Sequence, residues 1–316
     1  MALASFDTAE IFRRMRPVLS RMDKTKDQLL ARFRPVMAIF FCYGAICFMV
    51  PYTNLVSAGN RGGLFYFLLI SGGLAFSVVL LLYYRQSLEL NIGLRRQFVQ
   101  GMTIAFGPGV TYQAKADEMQ FPQDINTFLG AFHGYQVRNL VIGKFPLGHL
   151  STYDFKAFRK PEDFFRSTET VFDGRFYMYE FPLRTPSFWL VPKTLGPLQL
   201  PEANEPGLVR ELTRRYAIFP PEAEQFEILR DPEVNEVINR MSEEVKKDGL
   251  TKHDLALRFS ENQMIMALQE NRSFLETFNW QPMDREDYVT LQLRPMNLAA
   301  ELIALLLSKY RREGES

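Results

Sequence analysis

Apolar and polar residues are segregated along this chain. Residues 36–84 contain no Asp, Glu or Lys and one arginine, Arg61. Within that stretch, residues 36–56 (VMAIFFCYGAICFMVPYTNLV) and 63–84 (GLFYFLLISGGLAFSVVLLLYY) are each close to the ~20 residues that cross a hydrocarbon core of roughly 30 Å. Charge is costly inside lipid, so its absence from both segments predicts two transmembrane helices. The link between them, residues 57–62 (SAGNRG), has turn-forming chemistry and is too short for anything but an antiparallel return, so the spans form a hairpin.

Upstream, Phe6, Ile11, Phe12, Met15, Val18, Leu19, Met22, Leu29, Leu30 and Phe33 recur mostly at three- and four-residue steps with basic residues between them. This pattern predicts an amphipathic helix, broken or kinked near Pro17 and ended before Pro35. Its eight basic residues are Arg13, Arg14, Arg16, Arg21, Lys24, Lys26, Arg32 and Arg34, against four acidic ones. They are candidates for contact with lipid headgroups if the helix lies on an anionic leaflet. Alternatively, the apolar stripe packs on the soluble domain or pairs with a second copy. The Lys/Arg bias, with these eight before the spans, Arg61 alone in the link and Arg85, Arg95 and Arg96 after them, places both termini in the cytoplasm. Tyr43, Tyr52, Tyr66, Tyr83 and Tyr84 are candidate interfacial anchors. The first apolar run starts late and is too long for the core of a cleaved signal peptide.

Residues 85–109 read as a connecting helix and linker, broken at Phe106 to Gly109. Residues 110–312 read as an α+β domain with a mainly antiparallel sheet and packed helices. Strands are expected at Val110 to Ala114, Val137 to Phe145, Thr152 to Phe158, Thr168 to Phe172, Arg175 to Phe181, Phe188 to Val191, Asp254 to Phe259 and Met264 to Leu268. Asp173-Gly174 and Glu261-Asn262 sit between alternating apolar segments and predict two hairpin turns. Helices are expected at Gln123 to Phe132, Pro161 to Phe165, Gly207 to Tyr216, Pro232 to Lys247 (N-capped by Asp231) and Met296 to Arg312.

Read in order, the segments VFDGRFYMYEFP (Val171 to Pro182), FWLVPKTLG (Phe188 to Gly196), FEILRDPEVNEVINRM (Phe226 to Met241) and LALRFSENQMIMALQENRSFLE (Leu255 to Glu276) carry a resemblance. Over roughly residues 130–310 the chain resembles a bacterial family known only as a domain of unknown function, whose members typically carry an N-terminal two-span hairpin before a cytoplasmic α+β domain. The resemblance implies a membrane-attached domain and brings no reaction, cofactor or catalytic residue with it.

Composition narrows the functional classes. The chain has 316 residues, and 37 Lys+Arg balance 36 Asp+Glu, which gives no general reason to expect nucleic-acid binding. The mixed stretch Tyr153 to Arg166 (YDFKAFRKPEDFFR) reads as amphipathic packing rather than an RNA-stacking surface. Both cysteines, Cys42 and Cys47, lie in the first span and behave as small apolar residues. His133, His149 and His253 are the only histidines, and none stands at a metal-ligand spacing. No nucleophile elbow, phosphate loop, dinucleotide loop or Cys-x-x-Cys pair occurs, and Gly107-Pro108-Gly109 and residues 59–63 (GNRGG) are turns. No catalytic, cofactor-binding or metal residues are assigned, and no cofactor is expected.

Three features remain. Glu202, Glu205, Glu222, Glu224, Glu227, Asp231 and Glu233 form an acidic region suited to a solvated loop and helix start, or to a divalent ion or acid/base work. Ser71, Gly72, Gly73 and Ala75 are a small-residue patch suited to close packing within the hairpin or to self-association. Asn271-Arg272-Ser273 fits a glycosylation pattern that cytoplasmic topology makes inert. The expectation is a multi-pass bacterial inner-membrane protein whose cytoplasmic domain is a binding or scaffold module for a protein partner, for itself or for a membrane component. The alternatives are a membrane-tethered enzyme using scattered acids and an oligomeric transport-related subunit.

Overall fold

A computed structural model of the chain describes residues 7–54, 70, 72–86, 88–89, 92–93, 96–97, 109–116, 132–145, 148–160, 168–192, 210–211, 215–219, 227–247, 251, 253–269 and 285–310. The chain divides into two compact units, one of residues 1–15, 99–278 and 285–316 and the other of residues 16–98 and 279–284.

The larger unit is α+β, with a mainly antiparallel sheet and packed helices. Its seven strands are β1 (Thr111–Lys115), β2 (Gly134–Phe145), β3 (Gly148–Arg159), β4 (Glu169–Pro192), β5 (Arg210–Glu211), β6 (Tyr216–Phe219) and β7 (Ala256–Leu268). They are ordered β1-β2-β3-β4-β6-β5, with β7 pairing β4, and every pairing is antiparallel. The organising element is β4, 24 residues long, which pairs with β3 along its first half, β6 at its end and β7 along most of its length.

Both predicted hairpin turns are corrected here. Asp173-Gly174 lies inside β4, and Glu261-Asn262 lies inside β7. A Cβ at Gly174 would stand 2.2 Å from the Leu268 carbonyl oxygen, so glycine is present for close approach of β7 rather than for a reversal. Glu261 adopts φ 50° opposite Thr185, where the β4 and β7 registers slip past one another. Pro182 and Pro186 fall in those irregular stretches of β4, where a missing N–H costs no ladder hydrogen bond.

One face of the sheet buries Val137, Tyr153, Phe155, Phe172, Phe176 and Ile265 in a single apolar cluster. Tyr153 stacks on Phe176 at 5.6 Å between ring centroids. Helices α3 (Glu227–Arg230), α4 (Pro232–Lys247) and α5 (Glu286–Tyr310) complete the unit. The interval Pro232 to Lys247 is as predicted, and α4 buries Val234, Val237, Ile238, Met241 and Val245 at helical spacing. Helix α5 begins ten residues before the expected Met296 and runs through Pro295, because Val289, Leu293 and Met296 carry one buried face across the proline. Tyr179 of β4 donates to the Met296 carbonyl at 3.3 Å.

The helix predicted over Gly207 to Tyr216 is also corrected. Its described residues include the strand pair β5 and the start of β6, where Ala217 and Ile218 pair with Val191 and Leu190. The helices predicted at Pro161 to Phe165 and over most of Gln123 to Phe132 lie outside the described residues.

Helix α1 (Thr8–Asn54) is one helix of 47 residues. It passes through Pro17 and Pro35, where a break and a stop were expected. A proline deletes one intrahelical hydrogen bond, and the stripe Ile11, Met15, Leu19 and Met22 continues in phase across Pro17 and is buried. A second helical segment, α2 (residues 72–86), runs antiparallel to α1. Phe33 meets Tyr83 at 4.7 Å and Phe40 meets Phe76 at 5.4 Å, seven residues forward on one helix and seven back on the other. Among the described residues, no helix is long and apolar enough to cross a membrane. The link 57–62 and residues 63–69 of the expected second span lie outside the described residues.

Candidate functional site

The α+β unit carries two buried polar networks, and neither was apparent from the sequence. The first is built on adjacent strands. Arg175 is wholly buried on β4, directly across from Asp154 on β3. Its guanidinium donates to Asp154 Oδ1 at 2.8 Å, to Thr152 Oγ1 at 2.7 Å and to the Asn139 carbonyl at 3.3 Å, and it lies 5.7 Å from the Tyr177 ring centroid. Asn139 occupies a bulge in β2 with φ 53°, a conformation Asn tolerates better than most residues. The bulge turns its side-chain amide to donate to Asp154 Oδ2 and to accept from the Tyr112 hydroxyl at 2.9 Å. A buried cation held by a carboxylate, a hydroxyl and a carbonyl is electrostatically satisfied, so the network fixes four strands in register.

The second network joins α4, β6 and the segment before β7. Tyr216 donates to Ser242 Oγ at 2.9 Å, Ser242 donates to Asp254 Oδ1 at 2.8 Å, and the Leu255 N–H donates back to Ser242 Oγ at 3.3 Å. Lys246 reaches Asp254 Oδ1 at 2.5 Å from a more exposed position. Burial pushes the Tyr216 phenol well above the ordinary tyrosine range, so it stays a proton donor. Ser242 is fully buried and held by three partners, an arrangement that orients a fold rather than presents a nucleophile.

The acidic region resolves into a helix junction where it is described. Asp231 caps α4 by accepting from the Glu233 N–H at 2.9 Å, and Lys309 near the end of α5 binds both its carboxylate oxygens, at 2.8 and 2.6 Å. Lys309 also reaches Glu233 at 2.6 Å. The Lys309 ammonium and the cap hydrogen bonds hold the Asp231 carboxyl below its usual range, and the two carboxylates raise Lys309. Glu202, Glu205, Glu222 and Glu224 lie outside the described residues, as does the Glu227 side chain. His133 and His149 are exposed and His253 is half-buried. Among the described residues, no group of three or more His, Cys, Asp or Glu side chains is placed to hold a metal ion. In the mixed aromatic and basic stretch, Tyr153, Phe155 and Ala157 are core residues, and Lys156 pairs with Asp173 at 2.9 Å.

The two helical segments α1 and α2 hold the other candidates. Arg16, Arg21, Lys24, Arg32 and Arg34 are exposed, and in the first turns of α1 Arg13 and Arg14 pair with Glu10. Lys26 departs from the others, being only 8% exposed and ion-paired with Asp23 at 3.1 Å. Gly73 and Ala75 are exposed, and a Cβ at Gly73 would meet nothing within 4 Å, so Gly73 is not where α2 packs on α1. Phe76 takes that role, and Ser71 lies outside the described residues. Around this pair of helices Ile39, Phe41, Ile70, Leu74, Val78 and Leu81 are 51–75% exposed, and Cys42 is exposed beside them.

No family model matches the chain, and no curated protein matches it. A crystal structure of the mycobacterial trehalose monomycolate transport factor A, TtfA, is similar at 10% sequence identity and a TM-score of 0.32, over 66% of this chain and 92% of that one.

Proposed function

We propose that this protein is a multi-pass bacterial inner-membrane protein whose spans, residues 36–56 and 63–84, tether a cytoplasmic α+β domain that acts as a binding or scaffold module for a protein partner, a second copy or a membrane component. It is read as a member of the family of unknown function that its segments between residues 130 and 310 resemble. The observation that carries the reading is the ring of exposed apolar side chains, from Ile39 and Phe41 on α1 to Leu74, Val78 and Leu81 on α2, on the stretch of sequence that lacks acidic residues and lysine. Transferring such surface from water to lipid is favourable by about 25 cal/mol per Å², whereas leaving it in water invites aggregation. The buried ionic groups described in the α+β unit hold its strands and helices together.

Cysteine accessibility in intact cells tests this. Single cysteines replace Asn60 and the exposed Asn262 in a chain without Cys42 and Cys47. Asn60→Cys labelling from outside and Asn262→Cys labelling only after lysis is the expected pattern. The reverse pattern, or extraction of the protein by carbonate washing, overturns the reading.

A further inference from the structure

Seven residues on an α-helix turn through nearly two full turns, so residues i and i+7 lie within about 20° on one face and about 10 Å apart along the axis. On α1 this relation links two arginines to the exposed apolar surface. Arg32 shares a face with Ile39 and Arg34 with Phe41, while Phe33 and Phe40 between them face α2. On α2 the same relation links Arg85 to Val78, and Arg85 also lies over Leu74 and Leu81. Each exposed apolar face of the pair therefore carries an arginine, and on the second helical segment Leu88 and Ile92, 44% and 41% exposed, follow Arg85.

The three arginines lie at one level. The contact of Phe33 with Tyr83 aligns the two helices there, with Arg32 and Arg34 flanking Phe33 and Arg85 two residues beyond Tyr83, about 3 Å of axial rise. Tyr84, 64% exposed, sits at the same level and offers an amphipathic ring suited to an interface. Arg32 and Arg34 have no acidic partner among the described residues, and Arg85 meets only the exposed Glu89 at 3.4 Å, a contact that competes weakly with another anion. The remaining basic residues of α1 fall away from this level. Lys24 lies eight residues, about 12 Å, further out, beyond a Debye length of ~8 Å, and Lys26 is buried against Asp23.

We infer that Arg32, Arg34 and Arg85 form a girdle for anionic phospholipid headgroups at the cytoplasmic edge of the bilayer. The inference rests on the membrane reading proposed above and separates two members, Arg32 and Arg34, from the eight basic residues of the N-terminal segment. The aliphatic stems of the arginines extend the apolar faces, and their guanidinium groups match phosphate in a forked geometry that a lysine does not reproduce.

The full-length protein, reconstituted in phosphatidylcholine bilayers with spin-labelled phosphatidylglycerol or spin-labelled phosphatidylcholine as probe, reports which lipid is motionally restricted at its surface. The wild type is expected to restrict the anionic probe preferentially, with the preference weakening as salt rises. Arg32→Gln/Arg34→Gln/Arg85→Gln is expected to lower that preference by about fivefold while leaving the phosphatidylcholine component intact, whereas Arg13→Gln/Arg14→Gln/Arg16→Gln is expected to leave it unchanged. An equal preference for both probes in the wild type, or a preference retained by the first variant or lost in the second, overturns the girdle. Absence of any restricted lipid overturns the membrane reading itself.

Discussion

Arg175 and Asp154 are direct cross-strand neighbours, joined at 2.8 Å with the arginine side chain wholly excluded from solvent. Removing one member of such a pair strands the other, whereas replacing both with apolar groups of similar volume removes the desolvation cost together with the attraction. Arg175→Met is therefore expected to destabilise the domain by about 3 kcal/mol or more, and Arg175→Met/Asp154→Leu by much less. Urea unfolding followed through the buried Trp189 checks both, and equal losses in the two variants would show that the charges are not coupled.

Gly174 is expected to tolerate no side chain. Alanine there places its methyl group against the Leu268 carbonyl oxygen, backbone that moves only if β7 moves. A loss at the upper end of the roughly 1–3 kcal/mol range of overpacked sites is expected for Gly174→Ala. A change below 0.5 kcal/mol, about what an ordinary surface substitution gives, would indicate that the strands separate freely.

Asp231 and Lys309 contribute to stability at opposite ends of the pH range. Asp231 titrates below its unfolded value of about 4, so its contribution is complete above that pH and is lost as pH falls through the lowered folded value. Lys309 titrates above its unfolded value of about 10.4, so its contribution is complete below that pH and is lost as pH rises through the raised folded value. Asp231→Ala is expected to cost about 1 kcal/mol at neutral pH through the lost cap, and because each group is the main cause of the other's shift, Asp231→Ala and Lys309→Met each weaken both the acid and the alkaline limb. Thermal melts from about pH 3 to 11 check this, and a variant that loses one limb while keeping the other intact would show that the two groups titrate independently.

Ser242→Ala is expected to cost about 2–3 kcal/mol, because one hydroxyl serves Tyr216, Asp254 and the Leu255 amide inside the fold. Ser242→Thr keeps the hydroxyl but adds a methyl group at a site with no exposure, so it recovers only part of the loss. Faster amide exchange at Leu255 in Ser242→Ala identifies the hydrogen bond concerned.

What was legible in the sequence was local. The amphipathic spacing of α4, its cap at Asp231 and the apolar runs of β2 and β3 depend on neighbouring residues, and they appear where the spacing places them, with ends differing by a few residues, whereas the two strands expected over Asp254 to Leu268 are the single strand β7. Asp173-Gly174 and Glu261-Asn262 have turn chemistry, but pairing of β4 with β3 and β7 outweighs it, and the β7 partners, such as Leu268 for Arg175 and Glu261 for Thr185, lie more than seventy positions away. Pro17, Pro35 and Pro295 likewise yield to packing on either side of them. The Arg175 network was hidden for a related reason. Its members come from four strands, and only the two-residue alternation of Arg175 with Tyr177 and Tyr179 hinted that this arginine faces inward.

The long strand β4 also sets an order of events during synthesis. Its partner along one edge, β3, precedes it in the chain, whereas Leu268, which closes against Gly174 on the other edge, emerges 94 residues later. At about 5–20 residues per second the ribosome needs roughly 5 to 20 seconds to cover that distance. For that interval the nascent chain displays an unpaired edge bearing Phe176, Tyr177 and Tyr179, the period in which a chaperone or a neighbouring nascent chain meets it first.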